Sequence, residues 1–85
     1  MLSFSVYIIY SSQLDKYYIG YTSDLIKRLD EHNSGISTFT AKANDWILKW
    51  SKSFASREEA MTEEKRIKNK KSRKYIEQLI SLSSG

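Results

Sequence analysis

The stretch Phe4-Ser5-Val6-Tyr7-Ile8-Ile9-Tyr10, followed after a short polar break by Lys16-Tyr17-Tyr18-Ile19-Gly20-Tyr21, decides how this chain folds. Both runs are short and rich in β-branched and aromatic residues, which suit a pleated sheet and lose rotamer freedom in a helix. The break Ser11-Ser12-Gln13-Leu14-Asp15 has hairpin length, so the two runs read as antiparallel neighbours. With the loop placed at Ser11 to Leu14, Tyr10 opposes Asp15 and Tyr7 opposes Tyr18. Directly opposed side chains share a face and sit about 5 Å apart at Cβ. Gly20 falls on the same face, two residues beyond Tyr18, where it leaves a gap in the side-chain layer. A loop longer by one residue would spoil this pairing.

Downstream, Thr22 or Ser23 caps a helix with Asp24 in its first turn, Leu25 and Leu29 on one stripe, and Asn33-Ser34-Gly35 as its stop. Arg28 and His32 are four apart on that helix and project from one side of it. Ile36 to Asn44 has no period and reads as a loop. From Trp46 to Phe54 the chain reads as a third strand, with Trp46, Leu48 and Trp50 alternating with Ile47 and Lys49. Ser56-Arg57-Glu58-Glu59 is a capping box and opens a helix to about Asn69. Ser72 caps a last helix that buries Tyr75, Ile76, Leu79 and Ile80. The order β-β-α-β-α-α predicts an α+β fold, a small three-stranded, mainly antiparallel sheet flanked by three helices.

Eighty-five residues suffice for one domain, expected over 1–82 with a flexible tail at 83–85. Without cysteine, neither a disulfide nor a thiolate zinc site supplements the core, so the eleven aromatic residues must do much of the packing. No apolar run approaches a membrane span and the first residues lack a signal-peptide pattern, so the expected location is the cytoplasm. The net charge of +4 says little alone, but half of the fourteen cations fall in the run Lys65, Arg66, Lys68, Lys70, Lys71, Arg73 and Lys74. That run is either a solvated helix surface or a face that grips nucleic-acid phosphates, to which Lys27 on the first helix would add.

Glu64 shares the inward stripe of its helix with Ala60 and Ile67. A carboxylate there needs a reason. It is either an ion pair with Arg28 or a lysine, or a ligand for a divalent metal. One carboxylate binds Mg²⁺ weakly unless substrate phosphates complete the shell. His32 could be a second ligand, although a lone histidine more often serves as a hydrogen-bonding residue. Hydrolysis of a phosphodiester needs a base for water, charge to offset the transition state and help for the leaving oxygen. Tyr7 or Tyr18 can serve as that base only if cations lower its pKa; otherwise the two are a packed cross-strand pair.

Ser5-Val6-Tyr7, then Tyr18-Ile19-Gly20, then Arg28 and His32 on the following helix and Glu64 on a later one resemble the GIY-YIG nuclease family. The likeness covers nearly the whole chain and is strongest to short stand-alone bacterial members related to the amino-terminal nuclease domain of UvrC. It implies a three-stranded sheet flanked by helices and hydrolysis of DNA with one metal ion, Mg²⁺ or Mn²⁺. A tyrosine activates water, with Tyr7 the choice for base and Tyr18 for positioning water or phosphate, while Arg28 neutralises the phosphate and Glu64 holds the ion. The chain departs from the pattern at Ser5 and Val6, where Gly and Ile are usual. It also departs at Asn69, which lies too close to Glu64 to take the place of the asparagine many members carry. The leading expectation is a metal-dependent endonuclease acting on DNA, single-stranded and branched forms included. The alternatives are a non-catalytic nucleic-acid-binding module of the same fold and a protein-interaction domain.

Overall fold

A computed structural model describes residues 3–35 and 41–83. The elements are β1 (Phe4–Ser11), β2 (Lys16–Thr22), α1 (Leu25–Asn33), β3 (Ile47–Phe54), α2 (Arg57–Asn69) and α3 (Arg73–Ser83), the α+β order expected from the sequence. The strands form one antiparallel sheet in the order β2-β1-β3. The central strand β1 is covered on both faces, which is why Val6, Tyr7, Ile8 and Ile9 are buried without a break. On one face Val6, Ile8 and Ile19 pack with Ala60 and Ile67 of α2 and the apolar stripe of α3. On the other, Tyr7 and Ile9 pack with Ala43 and Trp46, with Leu25 and Leu29 of α1 against them. Each fully buried aliphatic side chain here contributes about 1.5–3 kcal/mol relative to exposure.

The hairpin register differs from the sequence expectation. Tyr7 pairs with Gly20 and Ile9 with Tyr18, not Tyr7 with Tyr18. The turn occupies residues 12–15, one position later than expected, because Ser11 stays in the strand and Asp15 takes the left-handed turn conformation at φ 51°. Moving the whole turn by one residue shifts the pairing by two, so each side chain keeps its face. Tyr7 and Tyr18 therefore remain neighbours on a diagonal, with ring centroids 6.4 Å apart.

The first helix is capped by Asp24 rather than by Thr22 or Ser23: the Asp24 carboxylate accepts from the Lys27 N–H at 3.1 Å. The third strand begins at Ile47 instead of Trp46 and carries an irregularity at Lys49, where Ile8 pairs with Trp50 and Ile9 with Leu48. The extra residue breaks the expected alternation, placing Trp46 and Leu48 in one core and Trp50 in the other. Ser56 and Ser72 cap α2 and α3 as expected. Of the expected loop 36–44, residues 41–44 are irregular and residues 36–40 lie outside those described; of the expected tail, Ser83 is still helical and residues 84–85 lie outside. Among the described residues no helix is long and apolar enough to cross a membrane.

Asn33, the last residue of α1, acts as a clasp. Its amide accepts from the Trp46 N–H at 2.7 Å and donates to the Trp46 carbonyl at 3.0 Å, as a paired strand would. This fixes α1, and the residues it carries, to the start of β3. Asn33→Ala is expected to lower the unfolding free energy by about 1–3 kcal/mol, measured by urea denaturation, because both groups of Trp46 lose their partner.

Candidate active site

The site grows from the close approach of Tyr7 to Gly20. A Cβ built on Gly20 would lie 2.5 Å from the Tyr7 hydroxyl and 2.7 Å from its Cζ, so the phenol ring lies across β2 where only glycine leaves room. The gap seen in the sequence is thus occupied by Tyr7 itself. Tyr7 is only 1% exposed, which leaves the ring little room to turn elsewhere.

Arg28 and His32, both on α1, meet this hydroxyl. The Nε2 of the fully buried His32 is 2.7 Å from the Tyr7 oxygen, and the Arg28 guanidinium, paired with Glu31 at 3.0 Å, lies near enough to favour the ionised phenol. The His32 ring meets Tyr18 edge-on at 4.9 Å between centroids, completing a cluster of three rings. Burial, with the nearby Arg28 charge second, pushes the His32 pKa down to about 4, so the imidazole is neutral at pH 7. Burial likewise pushes Tyr7 up to about 12, with Arg28 pulling against it and Tyr18 and Glu64 adding to the rise.

Glu64 reaches the same place from α2. An open cleft of about 450 Å³ is lined by Tyr7, Tyr18, Gly20, Thr22, Arg28 and Glu64, together with Arg57. The Glu64 side chain is 16% exposed and its partner is Lys68 at 3.6 Å, an i,i+4 pair at the surface. Of the two readings for Glu64, the lysine pair is therefore present, yet Glu64 still lines the cleft, and Arg28 pairs with Glu31 instead. Glu63, by contrast, is taken up by a two-pronged pair with Arg66 at 2.7 and 2.8 Å.

The five expected catalytic residues are thus brought together. The expected phosphate contacts are not: Lys27, Lys65, Lys70 and Lys74 do not line the cleft, Lys68 stands beside it over the Tyr18 ring at 6.0 Å, and Lys71 and Arg73 line a different cavity. Sequence reasoning missed Arg57, whose position just after the Ser56 cap gave it the look of a surface residue. The available signal was that it opens the helix bearing Glu64, two turns earlier on a neighbouring row.

The chain belongs to the GIY-YIG family: the model for its catalytic domain matches residues 3–76. It is similar to a UPF0213 protein of Streptococcus pneumoniae serotype 4, 46% identical over 56 residues that make up 65% of this chain and 57% of that one. It therefore spans little more than half the length of that relative. A UPF0213 protein of Halobacterium salinarum is 42% identical over 74% of this chain and 82% of its own. Among solved structures, the solution structure of a UPF0213 protein from Bacillus halodurans superposes with a TM-score of 0.62 at 35% identity, covering 99% of this chain and 88% of that one.

Two outcomes are expected from this geometry. An unfolded histidine titrates near 6.5, whereas His32 in the fold resists protonation down to about 4. Between these values the unfolded chain binds more protons, so stability is full above pH 6.5 and falls as pH drops towards 4, by about 3 kcal/mol from this residue. Urea melts at pH 7, 5.5 and 4 should show that loss, and His32→Phe should flatten most of it. In Gly20→Ala the added methyl has to displace the Tyr7 hydroxyl, so the Tyr7–His32 bond should be lost, seen as altered His32 imidazole resonances by NMR in a chain that still folds.

Proposed function

We propose that this protein is a metal-dependent endonuclease that hydrolyses DNA phosphodiester bonds in the Tyr7 cleft. The observation that carries the reading is that Tyr7, Tyr18, Arg28, Arg57 and Glu64, drawn from four separate elements, line one open cleft. A packed tyrosine pair alone needs neither the arginines nor the acid, and a carboxylate beside bound phosphates is unfavourable without a cation between them.

Among the described residues no group of three or more His, Cys, Asp or Glu side chains could hold a metal ion. Glu64 is the one carboxylate among the residues that line the cleft, and the other side-chain ligand atoms there are hydroxyl oxygens of Tyr, Thr and Ser. That set fits a hard cation such as Mg²⁺ or Mn²⁺, held by Glu64 and completed by water and substrate phosphate, and does not fit zinc. When bound, such an ion would polarise the phosphoryl oxygen and stabilise the leaving oxygen.

The protein's own groups supply the proton handling. Burial holds the proton on Tyr7 and keeps His32 from taking it at rest, so the pair is neutral before attack. Tyr7 therefore works as a base only in step with attack: water gives its proton to the Tyr7 oxygen while the Tyr7 proton passes to His32 Nε2. The new P–O bond forms as the bond to the leaving oxygen breaks and the leaving oxygen takes a proton from solvent; His32 then gives its proton back to Tyr7, which releases the one gained from water to solvent. Arg28, held by Glu31, offsets the charge that develops on the phosphoryl oxygens, and Tyr18 orients the water or the phosphate.

Cleavage of single-stranded, duplex and branched DNA and of RNA, with Mg²⁺ or Mn²⁺ and with EDTA, tests the proposal. Metal-dependent cutting is expected from the unaltered protein, with Glu64→Gln losing it while still binding DNA. Tyr7→Phe should be slower by about 10²–10⁴-fold. Binding to every substrate without cutting any would make the protein a binding module instead.

A further inference from the structure

A second cavity, of about 700 Å³, opens at the turn end of the β1–β2 hairpin and shares no lining residue with the Tyr7 cleft. Its volume is in the range that holds an organic ligand. Leu14, Tyr17 and Ile76 supply mainly apolar walls, while Trp46, only 4% exposed, adds little surface. The rim carries Lys16, Lys42, Lys71 and Arg73 against one carboxylate, Asp15. Arg73 already answers that carboxylate: it bonds to Asp15 at 2.7 Å and to the Asp15 carbonyl at 3.1 Å, and lies over the Tyr17 ring at 5.3 Å. Among the described residues, Lys16, Lys42 and Lys71 have no ion-pair partner.

The backbone at this rim is costly. Asp15 and Lys71, at φ 51° and 48°, are the two non-glycine residues with left-handed backbone among those described, and both line this cavity. Glycine would hold either turn without the side-chain clash, which costs a lysine about 1–2 kcal/mol. The residues present instead place a carboxylate that locks Arg73 as a wall and an ammonium at the mouth. Strain of this kind collects where a side chain is needed for something other than stability.

Position along the sheet suggests what enters. The edge strand β2 joins the two openings: Lys16 and Tyr17 border the cavity, while Tyr18, Gly20 and Thr22 border the cleft. At the rise of a strand the openings lie on the order of 10–20 Å apart, the reach of a few nucleotides. Aromatic walls with a cationic mouth suit a base and its phosphates together. A base inside a duplex has both its faces covered by its neighbours and would first have to be unstacked.

We propose that this cavity receives one unpaired nucleotide of the DNA strand whose scissile phosphate lies in the Tyr7 cleft. The base sits against Tyr17 and Ile76, and its phosphates face Lys16, Lys42 and Lys71. The inference rests on the nuclease reading for its strand, and it assigns this second site the choice of single-stranded or branched substrate.

Binding without divalent metal, in EDTA, tests it apart from catalysis. Fluorescence anisotropy would compare a labelled thymidine oligomer of about twelve nucleotides with an abasic strand of equal length. The thymidine strand should bind at least about five-fold more tightly. The double variant Lys42→Ala, Lys71→Gly should weaken that binding about ten-fold and bring the two strands level. Its melting temperature should hold or rise, since glycine relieves the strain at position 71. Lys49→Ala, Lys52→Ala removes the same charge from β3 and should change binding less than about two-fold. Equal affinity for the abasic strand, or equal losses in the two double variants, overturns the proposal. Base-selective binding with no cutting of any substrate would sink the nuclease reading and leave the cavity standing, while cutting without base selectivity would do the reverse.

Discussion

The Tyr7 phenol lies across a glycine on the neighbouring strand, where any Cβ would come within 2.5 Å of its hydroxyl, and that hydroxyl meets His32 with Arg28 nearby. The rest of the molecule follows from keeping that hydroxyl in place. The sheet is covered on both faces so that the ring is buried; α1 is clasped to β3 through Asn33 so that His32 and Arg28 cannot drift. Because the hydroxyl is buried beside a neutral imidazole, its proton is held firmly at rest, and only a change in local charge can loosen it.

The two helices on the opposite face serve the site less directly. Ala60 and Ile67 anchor α2 to the sheet, and the residue between them on the same stripe, Glu64, is carried past the sheet edge to the cleft. An inward carboxylate is tolerable because the Glu64 side chain stays 16% exposed at the open cleft and Lys68 stands within ion-pair reach. The polar network Tyr10–Asp15–Arg73–Glu77 joins the hairpin turn to α3, and so shapes the second cavity from elements that are distant in sequence.

Much of this was legible beforehand because two periods dominate. In a strand, faces alternate with every residue, so Tyr7 and Tyr18 share a face even though the turn was placed one residue early and the pairing came out two residues away. On α1 the spacing of four put Arg28 and His32 together whether the cap was Ser23 or, as found, Asp24. Errors of placement that preserve a period do no harm to the site. The extra residue at Lys49 broke the period of β3, and there the expectation for Trp50 failed.

The sequence by itself therefore determined the element order, the side of each strand or helix on which the chemistry-bearing residues lie, and the family to which they belong. Only the tertiary structure decided that Tyr7 fills the gap at Gly20, that Arg57 joins the cleft and most of the lysine run does not, and that Lys71 and Arg73 border a separate cavity. Periodicity is a local property, written into a few neighbouring residues by backbone geometry. Which faces meet depends on how whole elements pack across the core, where bulges, clasps and close approaches between distant residues set positions that no local pattern encodes.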